Sequence, residues 1–120
     1  MSKTPRALIL EPKEKWQNIW NKELKGIVQL VFANYLDEAE LLFDNLTDID
    51  IVVVTCSDLR DMEKTIEWTH EIQDSFGGAM IPIGAASGLE STRQKFKEAK
   101  CRFTCERELV PSNILDALHL

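Results

Sequence analysis

Basic residues are scarce in this chain: 14 Lys and Arg stand against 20 Asp and Glu, a net charge of −6. Such a balance repels a phosphate backbone unless the positive charge gathers on one face. Lys13 and Lys15, and Arg93, Lys95, Lys97 and Lys100, are diluted by Glu11, Glu14, Glu90 and Glu98, so direct nucleic-acid binding is not expected. Cysteine is also sparse, and three is an odd number, which argues against a disulfide scaffold. Cys101 and Cys105 fall in one strand pattern and stand about 13 Å apart at about 3.3 Å per residue, too far to bridge. Cys56 meets Cys105 only if two strand tips converge, so all three are read as small buried hydrophobes. No apolar stretch approaches the about 20 residues that span a bilayer. Met1 to Arg6 is polar with no apolar signal region behind it, and a cytoplasmic protein without membrane contact is expected. The two histidines, His70 and His119, lack Cys, Asp or Glu partners at metal-ligand spacing.

What the chain does have is an alternation of short apolar runs and helical patterns. Ala7 to Leu10 stops at Glu11-Pro12, and Trp16, Ile19, Trp20 and Leu24 follow at helical spacing, with Pro12 in the first turn. Ile27 to Ala33 is followed by Asn34 or Asp37 as helix cap, then by Leu36, Ala39, Leu42, Phe43 and Leu46. Ile49 to Val54 precedes a longer helix through Met62, Ile66, Thr69, Ile72 and Phe76, broken by Gly77-Gly78. Ala79 to Ala85 is the fourth strand and leads to a sparse helix with Leu89, Phe96 and Ala99. Cys101 to Cys105 is a fifth strand, and Pro111-Ser112 opens a last helix with Ile114, Leu115 and Leu118. Strands alternating with helices imply parallel pairing through right-handed crossovers. The expected fold is one α/β domain over residues 1–120: a flavodoxin-like three-layer α/β/α sandwich, five parallel strands in the order 2-1-3-4-5 with five helices. The run Ile51-Val52-Val53-Val54 reads as a strand covered on both faces. It ends at Thr55-Cys56-Ser57-Asp58, and ligands in such sheets gather beyond strand carboxyl ends.

In length, element order and loop placement the chain resembles the receiver domain of two-component response regulators. Leu8-Ile9-Leu10-Glu11-Pro12 looks like the first strand with its acidic pair, Asp50 to Thr55 like the strand that ends in the phosphorylated aspartate, and Phe103 falls near the aromatic switch position. The resemblance implies a pocket of two carboxylates and an acceptor aspartate around Mg²⁺, a hydroxyl ending the fourth strand and a lysine ending the fifth. This sequence departs from it. Glu11 keeps the first acidic position, but Pro12 takes the second and Thr55 the acceptor. The hydroxyl position aligns with Gly84, and the lysine falls at Cys105 or Glu106.

A dismantled phosphorylation pocket is therefore expected at Glu11, Pro12, Thr55, Gly84, Phe103, Cys105 and Glu106, with no catalytic residue and no Mg²⁺ cofactor; Glu11 is the weak metal candidate. A hydroxyl lacks the aspartate's ionised oxygen and needs an activating base, for which Glu11 is the one candidate. The function this implies is a pseudo-receiver, not an enzyme. It would engage a protein partner, or a second copy, through the face formed by the fourth helix, fifth strand and fifth helix. Two alternatives stand beside it: an atypical regulator with displaced chemistry at Glu11 with Thr55 or Asp58, and a small ligand-binding domain using the loop Gly84 to Gly88, which lacks both common phosphate-loop fingerprints. Trp16 and Trp20, one turn apart, are read as core, while Trp68 lies off the apolar centre of its helix and is expected to be partly exposed as a partner hint.

Overall fold

A computed structural model describes residues 4–46, 48–56, 59–75 and 81–120. The expectations placed on Ser57 and Asp58, on Phe76, on the break at Gly77-Gly78 and on a fourth strand beginning at Ala79 lie outside these residues. Five strands, β1 (Arg6–Leu10), β2 (Gln29–Ala33), β3 (Ile51–Thr55), β4 (Ile83–Ala86) and β5 (Phe103–Cys105), alternate with α1 (Glu14–Leu24), α2 (Leu36–Asn45), α3 (Leu59–Ser75), α4 (Glu90–Glu98) and α5 (Val110–Ala117). All pairings are parallel and the order is β2-β1-β3-β4-β5, the flavodoxin-like arrangement expected from the sequence.

The sheet is buried on both sides because its side chains alternate between two cores. Leu8, Leu10, Val52, Val54, Ile83 and Ala85 join Ala39 of α2, Trp68 and Ile72 of α3 and Phe96 of α4. Ala7, Ile9, Ile51, Val53 and Ala86 join Trp20 and Leu24 of α1 and Ile114 of α5 on the other side. β3, the central strand, is buried at all five residues. Trp16 lies beside buried Trp20 at 5.8 Å between ring centroids.

Several local expectations are corrected. Trp68 is not a surface residue: it is 4% exposed and meets Phe43 edge-on at 6.1 Å. The buried stripe of α3 runs through Thr65, Trp68, Thr69 and Ile72, while Met62 and Ile66 are half-buried. Thr69 is accommodated in that stripe by donating its hydroxyl to the Ile66 carbonyl at 2.7 Å. Neither Asn34 nor Asp37 caps α2. The N-cap is Tyr35 with no side-chain bond, and Glu38 reaches back to accept the Asn34 N–H at 2.9 Å. Pro12 precedes the Lys13 cap of α1 rather than entering its first turn. The three cysteines are free. Burial pushes the thiols of Cys101 and Cys105 up to about 12 and about 11, and β4 lies between the tips that carry Cys56 and Cys105.

Candidate functional site

Three strand tips bring Glu11, Thr55 and the chain beyond β5 together. Glu11 follows β1 directly and is fully buried, although it is a carboxylate. A buried charge requires a partner, and the partner is Arg107, whose Nε donates to Glu11 Oε1 at 2.6 Å. Arg107 belongs to a single 3₁₀ turn, Arg107–Leu109, that links β5 to α5, and it is itself 8% exposed. Its carbonyl accepts the Trp20 indole N–H at 3.2 Å. The guanidinium is thereby tied to the β1 tip and its backbone to α1. The second Glu11 oxygen, Oε2, lies 3.3 Å from Thr55 Oγ1 and 3.4 Å from the Lys13 N–H.

Thr55 has one hydroxyl proton to give. The Leu10 carbonyl, at 2.6 Å, takes it in preference to the more distant carboxylate. Glu11 is at hand as a base in position but not in character: its negative charge already serves Arg107, and the proton it would remove is committed to Leu10. Thr55 and Glu11 are within reach of one another at 3.3 Å, but a hydroxyl proton given to Leu10 does not favour displaced chemistry at this pair.

At the fourth strand the register corrects the sequence alignment. Gly84 pairs with Val53 and Ala86 pairs with Thr55, so β4 runs two residues past Gly84 and its tip hydroxyl is Ser87. Ser87 is 1% exposed. Its Oγ accepts the Leu89 N–H at 3.2 Å, and its carbonyl accepts Arg93 Nη1 at 2.8 Å. Gly84 and Phe103 are neighbours beneath the tip: they pair across β4 and β5, and a Cβ at position 84 would overlap the Phe103 ring. Glycine is needed there to seat the aromatic side chain. Cys105 pairs with Ala86 at the β5 tip and Glu106 is exposed beyond it. The cation of this site is thus neither at Cys105 nor at Glu106 but at Arg107.

Arg107 and Ser87 are the residues sequence reasoning missed. A signal for the first existed: Arg107 is the one Lys or Arg after Arg102, and a glutamate read at a buried strand tip demands a cation. Among the described residues no three His, Cys, Asp or Glu side chains come together as a metal-binding group. The segment Gly84 to Gly88 is bonded to its surroundings, the Ser87 N–H donating to the Cys105 carbonyl and the Cys56 N–H to the Ala86 carbonyl, whereas a cleft of about 330 Å³ opens at the other side of the Thr55 tip, lined by Pro12, Tyr35, Asp37, Thr55, Cys56 and Lys64 among others.

No family model matches the sequence, and no curated protein matches it. Solved structures do. A response regulator from Thermotoga maritima aligns with TM-score 0.78 at 13% identity, covering 98% of this chain and 100% of that one. An orphan response regulator from H. pylori aligns with TM-score 0.75 at 15% identity, over 96% and 97% of the two chains. An atypical orphan response regulator, described as having a phosphorylation-independent regulatory mechanism, aligns with TM-score 0.72 at 16% identity over 96% of each chain. The chain has the fold of the signal receiver domain.

Proposed function

We propose that this chain is a phosphorylation-independent receiver-like domain, a pseudo-receiver that acts in signal transduction as a protein-interaction module and not as an enzyme. The observation that carries the reading is the buried Glu11–Arg107 pair. In the receiver pattern several carboxylates surround Mg²⁺ at this position. Here one carboxylate remains, its Oε1 is engaged by a guanidinium at 2.6 Å, and its Oε2 faces Thr55 and the Lys13 N–H. A permanently charged arginine supplies internally the positive charge a metal would bring. A second cation there would meet that charge, and among the described residues no group of three His, Cys, Asp or Glu side chains gathers around Glu11, which supports a pocket without Mg²⁺. Thr55 offers no ionised oxygen to a phosphoryl donor.

Without phosphate, a conformational response would come from a partner that binds one arrangement better than another. A partner surface at α4-β5-α5 goes with that role, and two exposed leucines, Leu89 and Leu109, each 51% accessible, stand immediately before α4 and α5. No helix among the described residues is long and apolar enough to cross a membrane. A cytoplasmic location, with neither membrane nor nucleic acid as partner, goes with the proposal. Incubation with acetyl phosphate and Mg²⁺ followed by intact mass measurement tests it. The expected result is an unchanged mass; a Mg²⁺-dependent phosphoryl adduct would overturn the reading.

A further inference from the structure

On one face of the sheet the helices at its two lateral edges differ in charge. β2 forms one edge and β5 the other. The helices beside them, α2 and α4, lie on the same face, because Ala39 and Phe96 share one core. α2 carries Asp37, Glu38, Glu40 and Asp44 with no Lys or Arg. The crowding is felt at Glu40, whose carboxyl is held above its ordinary range by desolvation first and then by Asp37, Glu71 and Asp44. At the opposite edge Arg93, Lys95, Lys97, Lys100 and Arg102, in and after α4, outnumber Glu90 and Glu98, and Lys97, Lys100 and Arg102 are exposed. None of Asp37, Asp44, Lys97, Lys100 and Arg102 makes an ion pair with another described residue.

The β2 edge is also open in its backbone. Gln29 N–H bonds to the Pro5 carbonyl and the Glu11 N–H to the Ala33 carbonyl, so residues 29, 31 and 33 address β1. The intervening Leu30 and Phe32 turn their N–H and C=O groups outwards. Charged residues and proline, which usually guard such edges, are absent from Gln29–Ala33. Tyr35, just beyond the carboxyl end of this strand, is 72% exposed. At the other edge, exposed Leu89 and Leu109 follow the carboxyl ends of β4 and β5. Because all strands run parallel, a second copy laid alongside by translation sets these carboxyl ends level, with acidic α2 beside the basic excess of α4 and the Lys100–Arg102 segment.

We propose that the β2–α2 edge of one copy docks head to tail on the α4–β5 edge of a second copy. The inference rests on the interaction-module reading and names its partner, a different surface of the same chain. Symmetric pairing of either edge with itself would place like charges together, which disfavours it. A head-to-tail contact does not close by itself, so it builds rings or open chains.

Sedimentation of the whole chain over a range of concentrations at low and high salt tests this. The expected result is association beyond a dimer at low salt that is reversed by high salt. Asp37→Lys with Asp44→Lys, and separately Lys97→Glu with Arg102→Glu, should each weaken association about tenfold or more. An equimolar mixture of the two variants should restore it, since each now presents the complement of the other. Circular dichroism confirms that each variant is folded, and Asp37→Asn with Asp44→Asn repeats the test should the lysine variant fail to fold. A monomer at every concentration, or a mixture that does not recover, overturns the proposal. A discrete dimer indifferent to Asp37 and Asp44 also overturns it, while leaving the α4-β5-α5 partner face standing. The mass measurement with acetyl phosphate is unaffected by any of these outcomes, so failure of the two readings is distinguishable.

Discussion

The charges at the strand tips and the charges at the sheet edges are the same residue types in opposite settings. Glu11 is fully and Arg107 nearly buried, and they hold one another at 2.6 Å; Asp37, Asp44, Lys97 and Arg102 stand in solvent. A buried pair is screened little by salt, and loss of one member strands the other in a low dielectric. Exposed charges contribute little to folding and remain available to a partner. On the proposed reading, the first set holds the conformation of the domain and the second is what a partner would meet.

The largest effect should come from splitting the buried pair. Arg107→Ala leaves Glu11 uncompensated and should lower unfolding free energy by about 3–5 kcal/mol in urea titrations. Combining Arg107→Met with Glu11→Leu should recover most of the loss, because two apolar groups strand no charge. If the single variant costs nothing, the pair does not fix the fold. Next comes the packing beneath the tip. Gly84→Ala sets a methyl into the Phe103 ring and should cost about 1–3 kcal/mol, relieved in the double variant with Phe103→Ala. Smaller again is Trp20→Phe, which removes the indole bond to the Arg107 carbonyl and should cost about 1 kcal/mol. At the other extreme, Asp37→Asn should leave stability within about 0.5 kcal/mol of the parent.

The thiols give a pH-dependent check. Cys101 and Cys105 are raised from 9.0 to about 12 and about 11, in both cases chiefly by burial. The folded state therefore keeps protons that the unfolded chain releases. Their contribution is fully present below pH 9 and should be lost as pH rises from 9 towards 12. Denaturation midpoints across that range should fall with pH, and serine at both positions should flatten the fall.

The fold was legible because its signals are redundant. Ile51 to Val54 has no polar residue to suggest an exposed face, and each apolar run is followed by a helical period. The site was legible only in part. Glu11, Pro12 and Thr55 sit at strand ends that a change of composition marks clearly. The end of β4 has no such mark: Gly84, Ala85, Ala86 and Ser87 are all small, and only pairing of Ala86 with Thr55 fixes the tip. Arg107 lies between two glutamates and reads as a solvated residue; it is buried because a 3₁₀ turn carries it to a carboxylate 96 positions away. Trp68 was misread because the face was centred on Met62 and Ile66, both half-buried, while Thr65, passed over as polar, is buried one turn from Trp68 and Thr69.

The central claim, that Arg107 holds the place of a metal at Glu11, is tested most directly by the NMR signal of the Arg107 Nε–H. The account predicts a resolved signal, slow to exchange with solvent and unmoved by Mg²⁺ with beryllofluoride. A signal that exchanges freely, or that shifts on addition of Mg²⁺ together with the Thr55 amide, would contradict it.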